Sequence, residues 1–309
     1  MKALSIIVPH KNSLFTLPRL IQSIPKCDSI EIIIVDDHSD EDVKVALEKF
    51  CAQHTMIKLL ENKTDIYSAG KARNIGIQHA KGKWILFADA DDYFLDLFNE
   101  SIKKQMKSDF DIIYFRPEIE VNEDSVGCLT MIKVFDIYES EPNEDNLLLL
   151  KLNMVTPWSK LIKREFVERE GINFDEVLKN NDVMFSKKIA LSTKNVAVDQ
   201  QSIYAYTVHP FSLTKRTDLK HYYSTIDVHS RSIKYMRDEL PNKRLLKVNP
   251  ECFYTHYRLL YLGIKAFRSF KVIKHVLKIY RRNGLMELKY FTPILAIIGF
   301  YKKKKLFGQ

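Results

Sequence analysis

Three aspartates in four positions, Asp89, Asp91 and Asp92, follow directly on a short apolar stretch, Trp84–Ala88, and limit what the chain can fold into. The stretch predicts a buried strand, and carboxylates crowded at its end repel one another unless a cation lies between them. Asp89 and Asp91 are two positions apart, so in extended backbone both point to the same side. A hard ion such as Mg²⁺ binds one or two protein carboxylates and leaves its other positions to phosphates and water. The run therefore predicts a metal-assisted site for a phosphorylated substrate. The alternative is an acidic N-cap, with Asp91 or Asp92 opening a helix over Leu95–Lys107.

The basic charge of the chain is concentrated near its C-terminus. Residues 251–309 carry 13 Lys or Arg against two acidic residues, whereas residues 1–250 carry 35 basic and 37 acidic side chains. The body of the chain is therefore close to neutral, and no nucleic acid is expected as a partner. Four scattered cysteines without a CxxC pair argue against a zinc site and a disulfide framework, and they predict a reducing compartment. No signal peptide is expected at the N-terminus.

Apolar runs alternate with helix-like stretches through the first 115 residues. The runs that predict strands are Leu4–Val8, Glu31–Val35, Met56–Leu60, Trp84–Ala88 and Asp111–Phe115. The stretches that predict helices are Leu14–Ile24, Asp42–His54, Ser68–His79 and Leu95–Lys107. Continuous apolar runs are typical of strands buried on both faces. The alternation predicts an α/β fold, with a mainly parallel central sheet flanked by helices. Ser39, three residues before Asp42, predicts a capping box for the second helix.

Polar side chains follow three of the predicted strands. The three groups are Pro9-His10-Lys11-Asn12, Asp36-Asp37-His38-Ser39 and Asp89-Ala90-Asp91-Asp92. Because parallel sheets bind ligands at the carboxyl ends of their strands, these groups are expected to share one site. Neither GxGxxG nor GxxxxGK[ST] follows the first strand, which argues against a dinucleotide site and a P-loop.

The segment Ser68–Gly76 places small residues at the start of a predicted helix. Small residues allow a phosphate to approach the backbone, and Arg73 supplies a permanently charged fork suited to a diphosphate. The alternative is a helix whose Lys71 and Arg73 are solvated.

Four motifs in order resemble the family 2 glycosyltransferases. The motifs are Ser5-Ile6-Ile7-Val8-Pro9, Ile34-Val35-Asp36-Asp37-His38-Ser39, Ala69-Gly70-Lys71-Ala72-Arg73-Asn74-Ile75-Gly76 and Phe87-Ala88-Asp89-Ala90-Asp91-Asp92. The resemblance covers about the first 115 residues strongly and continues more weakly through Trp158–Arg164, Asn181-Asp182 and Ser212–Thr214. It implies the glycosyltransferase A fold, which is Rossmann-like and binds nucleotides. It also implies an inverting transfer of a sugar in bacterial surface-glycan synthesis.

The resemblance assigns the donor side of the site. Asp36 and Asp37 match the acidic pair that contacts the base and ribose of a nucleotide-sugar, with a UDP-sugar the leading candidate. Pro9 matches the strand end that lies under the nucleoside. Arg73 matches the basic residue near the diphosphate.

The resemblance also implies a divalent cofactor, Mg²⁺ or Mn²⁺. Asp89 and Asp91 match the Asp-x-Asp motif, with Asp91 as the direct metal ligand and Asp89 as a nucleotide or metal contact. Such an ion would neutralise charge on the departing diphosphate. His209, after a strand predicted over Ile203–Val208, is a further candidate metal ligand, and the alternative is an ordinary surface histidine.

Asp182 matches the acid at the start of a later helix that serves as catalytic base. The alternative is an N-cap for a helix over Val183–Leu191. Two departures from the family pattern are Asn181, where the family often has Glu, and His38, where it often has Gly. Asp182 is therefore the predicted base, and the turn after Asp37 departs from the family pattern at His38.

Trp158 and Lys160 are the candidates for the acceptor side. In the resembling family this region borders the acceptor, where an aromatic face stacks on a sugar ring. The alternative for Trp158 is a place in the core, because most tryptophans are largely buried.

The C-terminal region predicts long helices with basic surfaces. An almost wholly apolar run, Phe291–Tyr301, ends at four lysines, Lys302–Lys305, and at 11 residues it is shorter than the roughly 20 that a membrane span needs. A basic amphipathic helix beside such a run is typical of a protein that binds an anionic membrane surface. The alternative is a helix packed on the catalytic domain.

Together these patterns predict a catalytic domain over residues 1–216 and a helical, basic region over 217–309. Within the first, residues 1–115 form the nucleotide-sugar half and residues 116–216 the acceptor half. The predicted protein is a metal-dependent glycosyltransferase acting on a glycan or lipid-linked acceptor, cytoplasmic and peripheral on the inner face of the cell membrane. The alternatives are a sugar nucleotidyltransferase, for which the Gly-rich loop after the first strand is missing, and a non-enzymatic membrane-surface adaptor.

Overall fold

The computed structural model describes residues 2–120, 129–207, 218–287 and 293–307. The strands in these ranges are β1 (Leu4–His10), β2 (Ile30–Asp36), β3 (Ile57–Glu61), β4 (Trp84–Phe87), β5 (Tyr93–Phe94), β6 (Ile112–Ile119), β7 (Lys160–Lys163) and β8 (Val196–Tyr206). The helices are α1 (Leu17–Ser23), α2 (Glu41–Ala52), α3 (Ala69–His79), α4 (Phe98–Gln105), α5 (Leu129–Ser140), α6 (Glu144–Asn153), α7 (Arg164–Arg169), α8 (Asn181–Ser192), α9 (Leu219–Glu239), α10 (Asn242–Val248), α11 (Thr255–Phe267), α12 (Phe270–Arg282) and α13 (Pro293–Phe307).

The chain divides into two compact units, and neither is continuous in sequence. Unit 1 comprises residues 1–132, 156–177 and 192–210, and unit 2 comprises residues 133–155, 178–191 and 211–309. All the described strands lie in unit 1, and helices α9 to α13 lie in unit 2. The division into residues 1–216 and 217–309 as functional parts stays a prediction.

A sheet of eight described strands, in the order β3-β2-β1-β4-β7-β6-β8-β5, organises unit 1. Strands β3, β2, β1 and β4 run parallel, as do β6 and β8, while β7 is antiparallel to both β4 and β6, and β5 to β8. The four parallel strands confirm the predicted mainly parallel core. Their order puts the carboxyl ends of β2, β1 and β4 side by side.

The centre of the sheet is buried on both faces. Every residue of β2 and β4 is buried, as the continuous apolar runs predict. Ile7 in β1 pairs with Ile33 on one side and Phe87 on the other, and all three side chains are inaccessible to solvent. Because these strands pair within one buried core, their polar carboxyl ends lie together at one edge of the sheet.

The five strands and four helices predicted for the first 115 residues are all present, with ends shifted by no more than four residues. The predicted helical C-terminal region is present as well. The sequence patterns did not predict β5 or the antiparallel insertion of β7 between β4 and β6.

The two predicted helix caps are wrong. Helix α4 begins at Phe98 with Leu97 as N-cap, so neither Asp91 nor Asp92 opens it. Asp92 is instead fully buried and accepts a hydrogen bond from Tyr204. Ser39 does not cap α2, whose N-cap is Asp40, because its hydroxyl donates to a carboxylate at the end of β2.

Unit 2 uses the apolar face of α12 for its own packing. Val272, Val276, Ile279 and Tyr280 are buried, and the Tyr280 hydroxyl donates to the carbonyl of His256 in α11. The lysines and arginines of α12 are left on its outer side. No helix among the described residues is long and apolar enough to cross a membrane.

Candidate active site

The ends of β1 and β2 are joined by a buried polar network. His10 Nδ1 lies 3.0 Å from Asp36 Oδ1, and the Ser39 hydroxyl donates to the same carboxylate oxygen at 2.5 Å. The Ser39 oxygen in turn accepts the backbone N–H of Asn12 at 2.9 Å. Burial opposes ionisation of Asp36, but the hydrogen bonds from His10 and Ser39 outweigh it and lower its pKa. Asp36 is therefore a fixed carboxylate that ties two strand ends together.

Asp37 is held from the neighbouring strand. Asn62, which follows β3, donates from Nδ2 to Asp37 Oδ1 at 2.7 Å and to the carbonyl of Ile66 at 2.7 Å. The backbone N–H of Asp37 donates to the carbonyl of His10 at 2.7 Å. Because Asn62 stands at a strand end like the predicted residues, the same strand-end argument could have found it.

His38 takes the left-handed backbone conformation that explains the glycine often present at this position of the family. Its φ is +63°, a region that glycine enters without strain and that histidine enters more readily than most residues. The His38 ring lies against Tyr67, with centroids 3.9 Å apart, and Lys11 Nζ is 5.4 Å from the Tyr67 ring. Tyr67 is half-exposed, so it adds an aromatic surface beside Asp37 that the sequence patterns did not single out.

Arg73 is brought to the end of β4 by helix α3. Its Nη2 donates to Asp89 Oδ1 at 2.6 Å, and its guanidinium lies 5.4 Å from the ring of Phe174. Asn74 anchors the helix through two hydrogen bonds with the main chain of Phe174, at 3.0 and 2.9 Å. Arg73 is only 5% exposed, so the interpretation of a solvated helix surface is wrong for this residue.

The three aspartates after β4 have different surroundings. Asp89 and Asp91 are partly exposed, and Asp92 is fully buried. Burial, together with the charges of Asp89 and Asp91, raises the pKa of Asp92 well above its usual value. The two partly exposed carboxylates are thus the ones that a ligand can reach.

The donor atoms of Asp89 and Asp91 are carboxylate oxygens, which are suitable ligands for a hard divalent ion that also binds phosphates. Within the described ranges, no group of three or more His, Cys, Asp or Glu side chains is arranged around a common metal position. His209 lies outside the described residues.

Trp158 and Lys160 are buried in unit 1. The Trp158 ring is stacked on Tyr204 and Tyr206, with centroids 5.3 and 5.2 Å away, and it is 2% exposed. Lys160 begins β7, is inaccessible to solvent and donates from Nζ to the carbonyl of Thr156. These positions offer no exposed surface to a sugar, and an acceptor role for either residue stays a prediction.

Asp182 belongs to unit 2 and stands in the first turn of α8. The helix begins at Asn181, so Asp182 lies inside the helix and is not its N-cap. Residues just before the helix are fixed on α9, where Thr225 donates from its hydroxyl to Asn180 Oδ1 at 3.1 Å. Asp182 is partly exposed, as a proton acceptor must be. Its catalytic role stays a prediction.

The sequence places the chain in a known enzyme family. Residues 5–171, more than half of the chain, match the family described as glycosyl transferase family 2. The protein therefore belongs to glycosyl transferase family 2, and it is a glycosyltransferase.

Two relatives illustrate the range of the family. A putative glycosyltransferase of Bacillus subtilis, EpsH, is 23% identical over 243 residues, which cover 76% of this chain and 70% of that protein. The poly(ribitol-phosphate) β-N-acetylglucosaminyltransferase TarS of Staphylococcus aureus is 26% identical over 217 residues. That match covers 67% of this chain but only 35% of TarS.

Solved structures confirm the fold. The S. aureus TarS fragment 1–349 in complex with UDP-GlcNAc superposes with a TM-score of 0.66 at 18% identity, covering 100% of this chain and 93% of that one. A mannosyltransferase from Pyrobaculum calidifontis, in complex with GDP-Man and Mn²⁺, gives a TM-score of 0.53 at 16% identity over 99% of this chain and 87% of that chain. The glycosyltransferase A-like arrangement predicted from the sequence is thereby confirmed.

Proposed function

We propose that this glycosyltransferase moves a sugar from a nucleoside-diphosphate sugar, with a UDP-sugar as the leading candidate, to a hydroxyl group of a glycan or lipid-linked acceptor in surface polysaccharide synthesis. The observation that carries the proposal is the Arg73–Asp89 ion pair beside Asp91, at a strand end two strands from Asp36 and Asp37. The relatives named for transfer of N-acetylglucosamine, and the TarS complex with UDP-GlcNAc, support the choice of donor.

The nucleoside is assigned to the ends of β1 and β2. Asp36 and Asp37 are assigned the hydrogen bonds to the nucleoside, because carboxylate oxygens accept such bonds from the N–H of a base or the hydroxyls of a ribose. Pro9, one residue before the end of β1, would lie under the nucleoside. Rigid anchoring of both carboxylates limits the entropy lost when a nucleotide binds.

The diphosphate is assigned to Arg73, Asp89 and Asp91. Asp91, with Asp89, would hold Mg²⁺ or Mn²⁺, which supplies charge neutralisation for the departing diphosphate. Arg73 has a planar fork of N–H donors, and phosphate oxygens are the acceptors that such a fork fits best. Its hydrogen bond to Asp89 places the guanidinium next to the residues that follow β4.

Asp182 is the proposed general base, taking the proton of the acceptor hydroxyl as that oxygen attacks the sugar from the face opposite the diphosphate. Such an attack inverts the anomeric centre. Proton transfer by a positioned carboxylate contributes about 10²–10⁴-fold to the rate. The Asp182→Asn variant should keep donor affinity and lose transfer by that factor, while Glu165→Gln, at an exposed acid in the first turn of α7, should transfer normally.

The donor proposal is tested with the full-length protein and a panel of nucleotide-sugars, by calorimetry with Mn²⁺ and with a chelator. We expect one UDP-sugar to bind in the presence of Mn²⁺ and the affinity to fall when the metal is removed. Asp91→Asn should lose the metal effect, whereas Asp96→Asn, at an exposed aspartate five positions later, should keep it. Metal-independent binding, or a loss in both variants, would contradict the metal assignment.

We further propose that helix α13 attaches the enzyme to the inner face of the cell membrane as a peripheral protein. Ile294, Ile297, Ile298 and Tyr301 follow helical spacing and are between 38% and 74% exposed. The opposite side of α13 packs within unit 2, where Gly299 approaches the carbonyl of Pro250 too closely for any side chain. The outward face of the helix is therefore its apolar one.

Positive charge lies next to that apolar face. Lys302, Lys304 and Lys305 are exposed, while Lys303 forms an ion pair with Glu251. Each exposed lysine near an anionic surface contributes about 1 kcal/mol of binding. An apolar face with adjoining lysines fits a lipid surface rich in anionic headgroups.

Vesicle sedimentation tests the membrane proposal. The protein should sediment with phosphatidylglycerol-containing vesicles and not with pure phosphatidylcholine. The double variant Ile297→Gln/Ile298→Gln should remain in the supernatant, and the control Val45→Gln, at an exposed residue of α2, should sediment normally. Vesicle binding by a protein that binds no nucleotide-sugar would favour the adaptor alternative instead.

A further inference from the structure

The backbone at Asp89 and Asp91 is tied to the end of β8 by two separate links. In the first, the N–H of Asp89 donates to the Tyr204 hydroxyl at 2.9 Å, and that hydroxyl donates to Asp92 Oδ2 at 2.6 Å. The other oxygen of Asp92 accepts the N–H of Thr207 at 2.7 Å. Asp92 thus connects the first aspartate of the motif with two positions of a strand more than 100 residues away in sequence.

The second link runs through Arg19 in helix α1. Its Nη2 donates to the carbonyl of Asp91 at 2.5 Å and to the Thr207 hydroxyl at 2.9 Å. The Arg19 guanidinium also lies over the ring of Tyr93, 4.6 Å from its centroid. Both links therefore reach the motif aspartates through main-chain atoms, the N–H of Asp89 and the carbonyl of Asp91.

The segment from Asp89 to Asp92 needs such support because it belongs to neither a strand nor a helix. Among the described residues, the only backbone hydrogen bond within this segment runs from the N–H of Asp92 to the carbonyl of Asp89, at 3.2 Å, and closes a turn. Metal ligands must be held to within about 0.5 Å to bind well, and a turn of this kind does not provide that by itself.

We propose that Asp92, with Tyr204, Thr207 and Arg19, forms a bracket that positions Asp89 and Asp91 for the divalent ion and diphosphate. The inference rests on the proposed function, since it assigns these residues to the metal part of that site. Asp92 and Tyr204 are both inaccessible to solvent, so they act on the ligand only through Asp89 and Asp91. They are positioning residues and not metal ligands.

The chemistry of the bracket explains why position 92 carries an acid. Two donors, an O–H and an N–H, converge on the two oxygens of Asp92, and a carboxylate offers an acceptor to each. Asparagine has one acceptor oxygen and would set its NH₂ group against one of the two donors. Burial of a carboxyl beside two other aspartates is costly, and the hydrogen bonds from Tyr204 and Thr207 offset that cost.

The test compares two tyrosines that are equally buried in the same unit. Tyr204→Phe removes the hydroxyl that joins Asp89 to Asp92. The control Tyr114→Phe removes a buried hydroxyl that has no hydrogen-bond partner among the described residues. Mn²⁺ binding is measured by calorimetry on full-length protein saturated with UDP, and thermal unfolding is followed in parallel.

We expect Mn²⁺ affinity to fall about tenfold or more in Tyr204→Phe and to stay unchanged in Tyr114→Phe, because supporting hydrogen bonds around a metal site typically contribute 10–100-fold. In case Tyr204→Phe fails to fold, Arg19→Gln removes the link to Asp91 from a side chain that is 44% exposed, and Arg169→Gln, at a 56% exposed side chain, is its control. A fall of several-fold in Arg19→Gln alone supports the bracket.

The possible failures are distinguishable. Wild-type protein that binds UDP but no Mn²⁺ would overturn the metal part of the proposed function and the bracket with it. Wild-type protein that binds Mn²⁺, with equal affinity in Tyr204→Phe and Arg19→Gln, would overturn the bracket alone. An equal loss of affinity in the Tyr114→Phe or Arg169→Gln control would also overturn it, because the effect would then be general loosening of the unit.

Discussion

The packing of helix α3 on β1 predicts a specific coupling between Gly76 and Ile7. A Cβ atom added at Gly76 would lie well inside van der Waals distance of Ile7 Cγ2, and 3.3 Å from its Cγ1. Ile7 is fully buried and branched at Cβ, so its methyl group cannot turn away freely. Gly76→Ala must therefore push the helix off the strand.

The magnitude follows from two opposing effects. Overpacking a core costs about 1–3 kcal/mol, and replacing glycine by alanine within a helix returns up to about 1 kcal/mol. The net loss expected for Gly76→Ala is about 1–2 kcal/mol. Ile7→Ala removes Cγ2 and by itself costs about 2–5 kcal/mol. In that background, Gly76→Ala should be neutral or stabilising by up to about 1 kcal/mol.

Gly76→Ala and Ile7→Ala, alone and combined, form a double-mutant cycle. Urea unfolding monitored by tryptophan fluorescence measures the unfolding free energy of each variant, and its signal comes from unit 1. The chain has two tryptophans, Trp84 and Trp158, and both are buried in unit 1, which also contains α3 and β1. The coupling energy expected between the two substitutions is about 1–3 kcal/mol. Equal costs for Gly76→Ala in both backgrounds would refute the assigned clash with Ile7.

Gly171→Ala is the control for the same cycle. Gly171 has a φ of +60° and no atom within 4 Å of an added Cβ, so alanine there is strained without touching a neighbour. Its cost, about 1–2 kcal/mol, should be the same with Ile7 or Ala at position 7. Because Arg73 stands three residues before Gly76 on one helix face, Gly76→Ala should also weaken donor binding, whereas Gly171→Ala should not.

The other predictions concern the site and unit 2. Arg73→Met leaves Asp89 without its charged partner and should lower the affinity for a UDP-sugar about 10–100-fold in calorimetry, since a hydrogen bond to a charged group contributes about 1.5–3 kcal/mol; unchanged affinity would exclude Arg73 from the donor site. Ser39→Ala removes the hydroxyl that links the ends of β1 and β2 and should lower the unfolding free energy by about 1–2 kcal/mol in the fluorescence assay, a value near zero counting against the network. Burial lowers the pKa of His256 to about 4, so the folded state stays neutral where the unfolded chain takes up a proton. The stability contributed by neutral His256 is complete above about pH 6.5 and is lost as the pH falls towards 4, by about 3 kcal/mol at most. Circular dichroism should show a flatter acid profile for His256→Gln and an unchanged one for His79→Gln, at an exposed histidine; parallel profiles for His256→Gln and wild type would contradict this assignment.

Part of the site is readable from the sequence. Asp36, Asp37 and Asp89 lie at the ends of parallel strands, as predicted, because a strand buried on both faces is marked by its own apolar residues. Tyr67 was not predicted, and it reaches the site by stacking on His38. Nothing in the local pattern of that loop indicates which aromatic side chain will lie there.

Helix caps are a second feature that the sequence patterns did not predict correctly. From the sequence, Ser39 and Asp92 are candidate helix N-caps, since both residue types are common at that position. In the fold the Ser39 hydroxyl donates to Asp36, three residues earlier at the end of β2, and Asp92 accepts from Tyr204, 112 residues later. A buried charge-assisted hydrogen bond outweighs an exposed cap, and for Asp92 it is a tertiary contact that decides the role of the residue.

For the C-terminal helices, the sequence shows the residue pattern of each helix, but not which face is buried. The sequence establishes that α12 is amphipathic and that α13 is apolar with a basic end. Only the packing of unit 2 shows that α12 buries its apolar face, whereas α13 turns Ile294, Ile297 and Ile298 outward. The membrane proposal consequently rests on α13.

By itself, the sequence determined the α/β class, the parallel strands and the strand ends that carry Asp36, Asp37, Asp89 and Asp91. These depend on the periodicity of neighbouring residues and on the rule that parallel strands end at one edge. The tertiary structure alone decided that Asp92 is buried against Tyr204, 112 residues later, and that α3 lies close enough to β1 to require Gly76. Such contacts join residues that are distant in sequence, so no local pattern records them; they arise only when the elements pack.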